Sequence, residues 1–474
     1  MIDSKTLLIL IQLINMLFIL WIVFLENKSY RFLIFWILFF LALPVISWAI
    51  YFVYHILIES FNNKEKRVYD TLEKEINKMI NVPSYVDEKN SSIIELCKSI
   101  SFSPCSINNH YFIFNSINEY YNDLFKEILN ARKSIYIEMY IIQNDEIGNK
   151  LLSLLKRKLS EGVNVVLLYD RFGSIRLGKG FFDELVSLGG EVYSYYPNTL
   201  IGTIFNLNIR NHRKNIVIDS KIAYLGGANI GREYISKHKR IRPWRDLEIK
   251  LEGDIVLSLL KQFYIDYNFC LLQRNKLVRI HINEYEFLRR KNENGTTFQM
   301  VSSSIYFEEG IGKCIISLLH KARSSIYIET PYFVPSSSLF ETIKIMIFSG
   351  VRVVLVIPKI YDKKIPYRVS EYYASEIMKL GGEVYLYKGF IHSKMIVVDE
   401  ELSLVGSSNF DIRSLTYNKE TSVISYSKNF ALSLIKIFQK DIKNSEKCSL
   451  KKYYSSNYFV KLERKIFFLF SQIM

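Results

Sequence analysis

Two α/β domains with mixed sheets, related by a pseudo-twofold and preceded by a two-helix transmembrane hairpin, form the fold this sequence predicts. Three observations carry that expectation. Two apolar runs stand at the N-terminus, short Ile/Val/Tyr-rich segments alternate with helix-period segments further on, and that alternating pattern occurs twice.

Leu7 to Leu25 and Phe32 to Ile58 are each of about the length that crosses a ~30 Å hydrocarbon core. Only Glu26-Asn-Lys-Ser-Tyr-Arg31 separates them, and no small-x-small cleavage site intervenes, which argues for a hairpin over residues 1–60 and against a cleaved leader. Pro44 falls inside the second run, where a local kink lets neighbours satisfy the freed carbonyl. His55 is expected at the interface. Lys5 precedes the hairpin, Lys28 and Arg31 lie in its turn, and Lys64, Lys66, Arg67 and Lys74 follow it. The positive-inside rule then favours both ends, and the bulk of the chain beyond the hairpin, in the cytoplasm of a multi-pass cell-membrane protein.

Residues 61–115 open on the charged, helical-looking "NKEKRVYDTLEKEINKMI" and read as a connector. Beyond it "ARKSIYIE" at 131–138 returns as "ARSSIYIE" at 322–329, "GVNVVLL" from Gly162 as "GVRVVLV" from Gly350, and "GGEVYSY" from Gly189 as "GGEVYLY" from Gly381. Strand, helix and strand in that order imply crossover units and a largely parallel or mixed sheet. The expected domains are 116–285, with its motif at 207–234, and 286–474, with its motif at 387–414.

The 49% hydrophobic content is ample for such cores, and a net charge of +15 calls for an anionic partner: nucleic acid, an anionic membrane surface or a phosphate-bearing substrate. Charge alone does not choose among them. The apolar hairpin, with 33 Tyr and 32 Phe suited to lipid contact, favours the membrane, and no nucleic-acid partner is expected. Five scattered cysteines without a C-x-x-C pair suggest reduced, buried thiols. The sequence holds no Walker loop and no tight Asp/Glu cluster, so neither a metal nor a nucleotide site is expected. It does not set an oligomeric state.

The repeat carries chemistry in "NHRKNIVIDSKIAYLGGANIG" and "IHSKMIVVDEELSLVGSSNFD". His212, Lys214, Asp219 and Asn229 recur at the same offsets as His392, Lys394, Asp399 and Asn409. Two histidines facing each other across a cleft suit displacement at phosphorus, one as nucleophile and the other as acid for the departing alkoxide. Lys214 and Lys394, on the strand face of their histidines, would meet the non-bridging oxygens, and the amides of Asn229 and Asn409 could donate to the same oxygens. Asp219 and Asp399 lie an odd number of residues from their histidines, on the opposite strand face, as local organisers of the motif. A carboxylate is still wanted behind each imidazole, and Asp246 in "PWRDLEI" and Glu420 in "YNKE" are the candidates. His110, His238, His281 and His320 are isolated and read as ordinary core or surface residues.

The doubled pattern resembles the phospholipase D superfamily, whose signature is H-x-K-x(4)-D followed by G-[GS]-x-N. With the paired N-terminal spans, "RNHRKNIVID", "GGANIGREYI", "PWRD", "TPYFVP", "GFIHSKMIVVD" and "GSSNFDIRSLTYNKE", the likeness is closer still to bacterial cardiolipin synthases and covers almost the whole chain. The resemblance implies that His212, Lys214, Asp219, His392, Lys394 and Asp399 form the catalytic motifs, the aspartates as structural support, with Asp246 and Glu420 orienting the imidazoles. It implies phosphatidyl transfer from one phosphatidylglycerol to another through a phosphatidyl-histidine, giving cardiolipin and glycerol without a cofactor. A phospholipase D-type hydrolase or another phosphatidyltransferase shares these motifs, as does a nuclease. The chain departs from the family pattern at Leu247-Glu248, where several relatives carry Thr-His, and this bears on acceptor selectivity. A symmetric repeat does not say which histidine attacks; the N-terminal one is the expected nucleophile.

Overall fold

The computed structural model describes residues 3–25, 30–53, 87–195, 210–237, 240–276, 295–303 and 309–469, with isolated positions between 67 and 85 and at 471. Outside the described residues lie the hairpin turn at 26–29, the second apolar run from 54 onward with His55, most of the connector up to 86, motif positions 207–209, His238, His281 and the domain boundary at 285/286. The chain divides into two units, Met1–Thr71 and Leu72–Met474.

In the first unit the helix Ser4–Leu25 is long and apolar enough to cross a membrane, and most of its apolar side chains are exposed. The second run differs from the expected 32–58 span. It forms two helices, Tyr30–Ala42 and Pro44–Val53, because Pro44 has no N–H to continue the ladder. The bend is sharp: the rings of Trp36 and Tyr51 lie 4.9 Å apart. In one straight helix those positions would stand about 22 Å apart along the axis. The first helix packs on both arms, with Phe18 stacked on Trp48 at 5.8 Å and Asn15 Oδ1 accepting from Trp48 Nε1 at 3.1 Å.

The second unit is built on one sheet of 15 strands. From one edge it runs Ser445–Lys447, Glu383–Tyr387, Arg352–Pro358, Ser325–Glu329, Met395–Val398, Leu402–Gly406, Glu420–Ser425 and Thr296–Ser303. It continues through Cys105–Phe114, Glu248–Gly253, Ile222–Gly226, Lys214–Ile218, Ser134–Met139, Asn164–Tyr169 and Glu191–Ser194. The "SIYIE" strands thus stand in the same relation to their neighbours on both sides: parallel to the "VVL" strand, antiparallel to the strand that follows the histidine. The centre of the sheet is the antiparallel pair Cys105–Phe114 and Thr296–Ser303.

That pairing corrects the connector. Residues 91–114 belong to the body, as the helix Ser91–Ser101 and a full central strand. The polar "SINNH" hides this strand because its register shifts between Ser106 and Asn109. Asn109 is fully buried and spends its amide on the carbonyls of Ser106 and Thr296.

The helix Ile255–Leu272 matches a membrane span in length and composition, yet it is buried along its length in this body. Its polar residues have partners in the body: Lys261 donates to the Phe102 carbonyl at 2.7 Å and Gln262 to Asp266 at 2.8 Å. Arg213, fully buried next to His212, donates to Asp266 Oδ2 at 2.9 Å, Thr421 Oγ1 at 3.0 Å and Ser302 Oγ at 3.1 Å. A buried guanidinium is tolerable only with its donors satisfied, and here they tie residues on both sides of the central pair.

Candidate active site

Each histidine stands just ahead of a buried strand, and short parallel ladders place it. Asn211 bridges to Lys419, and the His212 N–H donates to the Lys419 carbonyl at 2.9 Å. The register brings the next residue, Glu420, to the imidazole, with Oε2 at 3.0 Å from His212 Nδ1. On the other side Phe390–Ile391 pairs with Trp244–Arg245, and the His392 N–H donates to the Arg245 carbonyl at 2.6 Å. Asp246 Oδ2 then lies 2.7 Å from His392 Nδ1. Each histidine therefore takes its carboxylate from the opposite half of the repeat.

With Nδ1 held, Nε2 of each imidazole is the nitrogen left for chemistry. Lys214 Nζ lies 3.2 Å from His212 Nε2 and donates to the His212 carbonyl at 2.9 Å. Lys394 Nζ lies 2.8 Å from His392 Nδ1 and donates to the His392 carbonyl. Burial, then the Lys214 ammonium, holds the His212 imidazole well below its usual range. Burial and Lys394 bring His392 down to about 4. Lys214 and Lys394 are themselves lowered by burial, to about 7 and about 8. Lys394 acts on His212 and Lys214 on His392, so the two motifs share one electrostatic site.

The two carboxylates are unequal. Burial pushes Asp246 up, but His392 and Lys394 outweigh it and the carboxyl sits below its usual range. Burial dominates at Glu420, raising it to about 7, although Ser407 Oγ donates to it at 2.5 Å.

Asp219 and Asp399, grouped with the catalytic motifs in the sequence, stand away from the imidazoles at the far ends of their strands. Each has a φ of 51°, a turn conformation Asp tolerates. Asp219 accepts from the N–H groups of Arg132, Lys133 and Ser134 at 2.7 to 3.2 Å, and Asp399 from Arg323, Ser324 and Ser325 at 2.6 to 2.8 Å. They tie strand ends. Asp219→Ala is expected to cost about 1–3 kcal/mol of stability, since it orphans three donors, and urea unfolding of the purified protein reads this directly.

Asn229 is a second correction. Its Oδ1 accepts from Ile141 N at 3.0 Å and its Nδ2 donates to Tyr234 Oη at 2.8 Å, so its amide anchors a loop and is not turned to a phosphate. Asn409 differs: its side chain bonds the Asp411 carboxyl, and among the described residues its buried Oδ1 has no partner. Aromatic and cationic groups with no counterpart in the repeated strings also surround the histidines. The Tyr140 ring lies 4.6 Å from the His212 ring, and Trp244 lies 5.0 Å from His392. Exposed Lys363 and Arg413 add to the positive field at His212. Glu248 is buried and raised by burial and by Asp246, and it accepts from Ala228 N at 2.5 Å.

The structure shares its fold with the phosphatidylserine synthase of Haemophilus influenzae Rd KW20, with a TM-score of 0.61 at 16% identity, over 82% of this chain and 98% of that one, and its two halves match a phospholipase D-like family model. The family model "Cardiolipin synthase, PLD-like domain" matches twice, at residues 124–240 and 315–442. A cardiolipin synthase of Listeria monocytogenes serotype 4a (strain HCC23) is 31% identical over 99% of both chains. Cardiolipin synthase 2 of Staphylococcus epidermidis (strain ATCC 35984) is 30% identical over 98% of this chain and 96% of its own. The chain belongs to the PLD-like cardiolipin synthase family.

Proposed function

We propose that the chain joins two phosphatidylglycerol molecules into cardiolipin and glycerol, with His212 as nucleophile and His392 as acid and base. The exchange of carboxylates between halves is the observation that carries this reading, because it holds each imidazole by Nδ1 with a group from the other motif's half. Before substrate binds, both imidazoles are neutral near pH 7. A phosphodiester anion between Lys214 and Lys394 offsets the ammonium charge that opposes protonation, and the ionised Asp246 selects His392 as the imidazole that takes the proton.

His212 Nε2 then attacks phosphorus, the P–N bond forms, the P–O bond to glycerol breaks, and His392 gives its proton to the departing alkoxide. Neutral again, His392 takes the proton from a glycerol hydroxyl of the second phosphatidylglycerol. That oxygen attacks phosphorus, the P–N bond breaks, and cardiolipin leaves. The two lysines meet the non-bridging oxygens throughout.

The same proposal takes the two motif-bearing halves as domains related by a pseudo-twofold, which the mirrored strand order supports. It places the catalytic body on the cytoplasmic face of the cell membrane, anchored by both apolar runs, with the net charge of +15 facing anionic lipid. Purified protein in pure phosphatidylglycerol vesicles is expected to release one glycerol per cardiolipin formed. Phosphatidic acid without cardiolipin would instead make it a hydrolase.

A further inference from the structure

We infer that the outer face of the helix Tyr458–Leu469 is a docking surface for an anionic lipid bilayer. It names the part of the body that meets the membrane, and so rests on the membrane placement above but not on the transfer reaction. A surface helix ordinarily turns its apolar stripe to the core and its charges to water. Here the order is reversed. Buried Arg464 donates to both carboxylate oxygens of Glu371, at 2.9 and 3.1 Å, and Glu463 accepts from Lys364 at 2.5 Å and from Arg368 at 3.1 Å. The Phe468 ring stacks on Tyr372 at 4.0 Å. All of these partners belong to the helix Lys364–Lys379, so the charged side chains fasten the inner face to the body. Phe459, Leu462, Ile466 and Leu469 face solvent, from 40% exposed at Leu462 to 73% at Phe459 and Leu469, with exposed Tyr458 beside them. Their spacings of three, four and three residues set them in one stripe along the helix.

Charge selects the occupant. Glu463 is the one acidic residue of this helix, and it is spent on Lys364 and Arg368. Lys461 and Lys465, four residues apart along one flank of the stripe, are exposed and have no acidic partner among the described residues. Lys451, in the preceding helix Leu450–Tyr454, is likewise exposed and without one. An apolar stripe edged by lysines is the pattern of a helix that lies in the plane of the headgroups. Its apolar side chains enter the acyl boundary, and the long lysine stems carry their ammonium groups to the lipid phosphates. Tyr454 and Tyr458, both exposed, suit the same depth, where amphipathic rings collect. A second copy of the chain, meeting this face through the same face, would set these lysines against their own like charge. An anionic leaflet meets them with the opposite one, in keeping with the net charge of +15.

The test reads where this face sits in the full-length protein, without using turnover. A bimane is attached to Ile466→Cys in a Cys448→Ser background, the other four cysteines being buried. The protein is reconstituted in vesicles of phosphatidylglycerol or of phosphatidylcholine that contain a doxyl-labelled lipid, with acrylamide as the quencher from water. Doxyl quenching is expected to be at least threefold stronger in phosphatidylglycerol than in phosphatidylcholine, with acrylamide quenching correspondingly weaker. Phe459→Ser/Leu462→Ser should lower the doxyl signal at least twofold, and Lys461→Gln/Lys465→Gln should bring the phosphatidylglycerol value down to that in phosphatidylcholine. A label that acrylamide quenches fully and doxyl lipid does not, on protein that floats with the vesicles, overturns the docking face and leaves the membrane placement standing. Equal doxyl quenching in the two lipids overturns the anionic surface as its occupant. Energy transfer between donor- and acceptor-labelled copies, in place of doxyl quenching, gives the face to a second copy and overturns the lipid. Protein that fails to float with vesicles at all overturns the membrane placement together with the docking face.

Discussion

His392→Ala is expected to release one equivalent of nitrophenolate from a phosphatidyl nitrophenol and then stall, and His212→Ala is expected to release none. A nitrophenolate needs no proton to depart, so the variant without His392 still forms the phosphatidyl adduct on His212. It then lacks the base that activates the next hydroxyl. With phosphatidylglycerol, whose leaving alkoxide must be protonated, both variants should fall by about 10³-fold or more, equivalent to roughly 4 kcal/mol of barrier. Stopped-flow absorbance and mass spectrometry of the stalled protein read the burst and the adduct. The opposite pattern, a burst in His212→Ala alone, would exchange the two roles.

The second large effect separates the two carboxylates. Asp246→Asn keeps the size of the side chain but removes the charge that favours the His392 imidazolium, and turnover of phosphatidylglycerol is expected to fall by about 10²–10³-fold. Glu420 is raised to about 7, so near neutral pH much of it already carries a proton, and Glu420→Gln removes less charge. Its loss is expected to be about tenfold, mostly through orientation of His212. The nitrophenyl donor should restore the first step in Asp246→Asn and do little for Glu420→Gln. Equal losses in both variants, with no rescue, would sink the assignment of acid to His392.

Much of the site could be read in the chain because it occurs twice. His212 and His392 stand out not as histidines but as members of two strings with equal offsets, and the lysine two places on follows the period of an extended strand. What could not be read is non-local. Asp246 and Glu420 can be named as wanted carboxylates, yet which imidazole each holds depends on the ladders between Phe390–Ile391 and Trp244–Arg245 and between Asn211 and Lys419. Asn229 is a similar case: its match to Asn409 suggests a shared duty, but Ile141 and Tyr234 occupy its amide, and the contacts of Asn409 differ. The central strand Cys105–Phe114 escaped because its polar residues are satisfied by a register shift that only the folded sheet defines. Pro44 was visible, but the sharpness of its bend is set by the aromatic rings that pack in the crook.

Glu420 is translated 208 residues after His212, and among the described residues it is the carboxylate at that imidazole. A chain still on the ribosome and short of that residue carries its prospective nucleophile without the group that aims it. Under the proposed mechanism full competence therefore arrives only once residue 420 has joined the sheet, and a product truncated before it lacks both the carboxylate that orients His212 and the strand Glu420–Ser425.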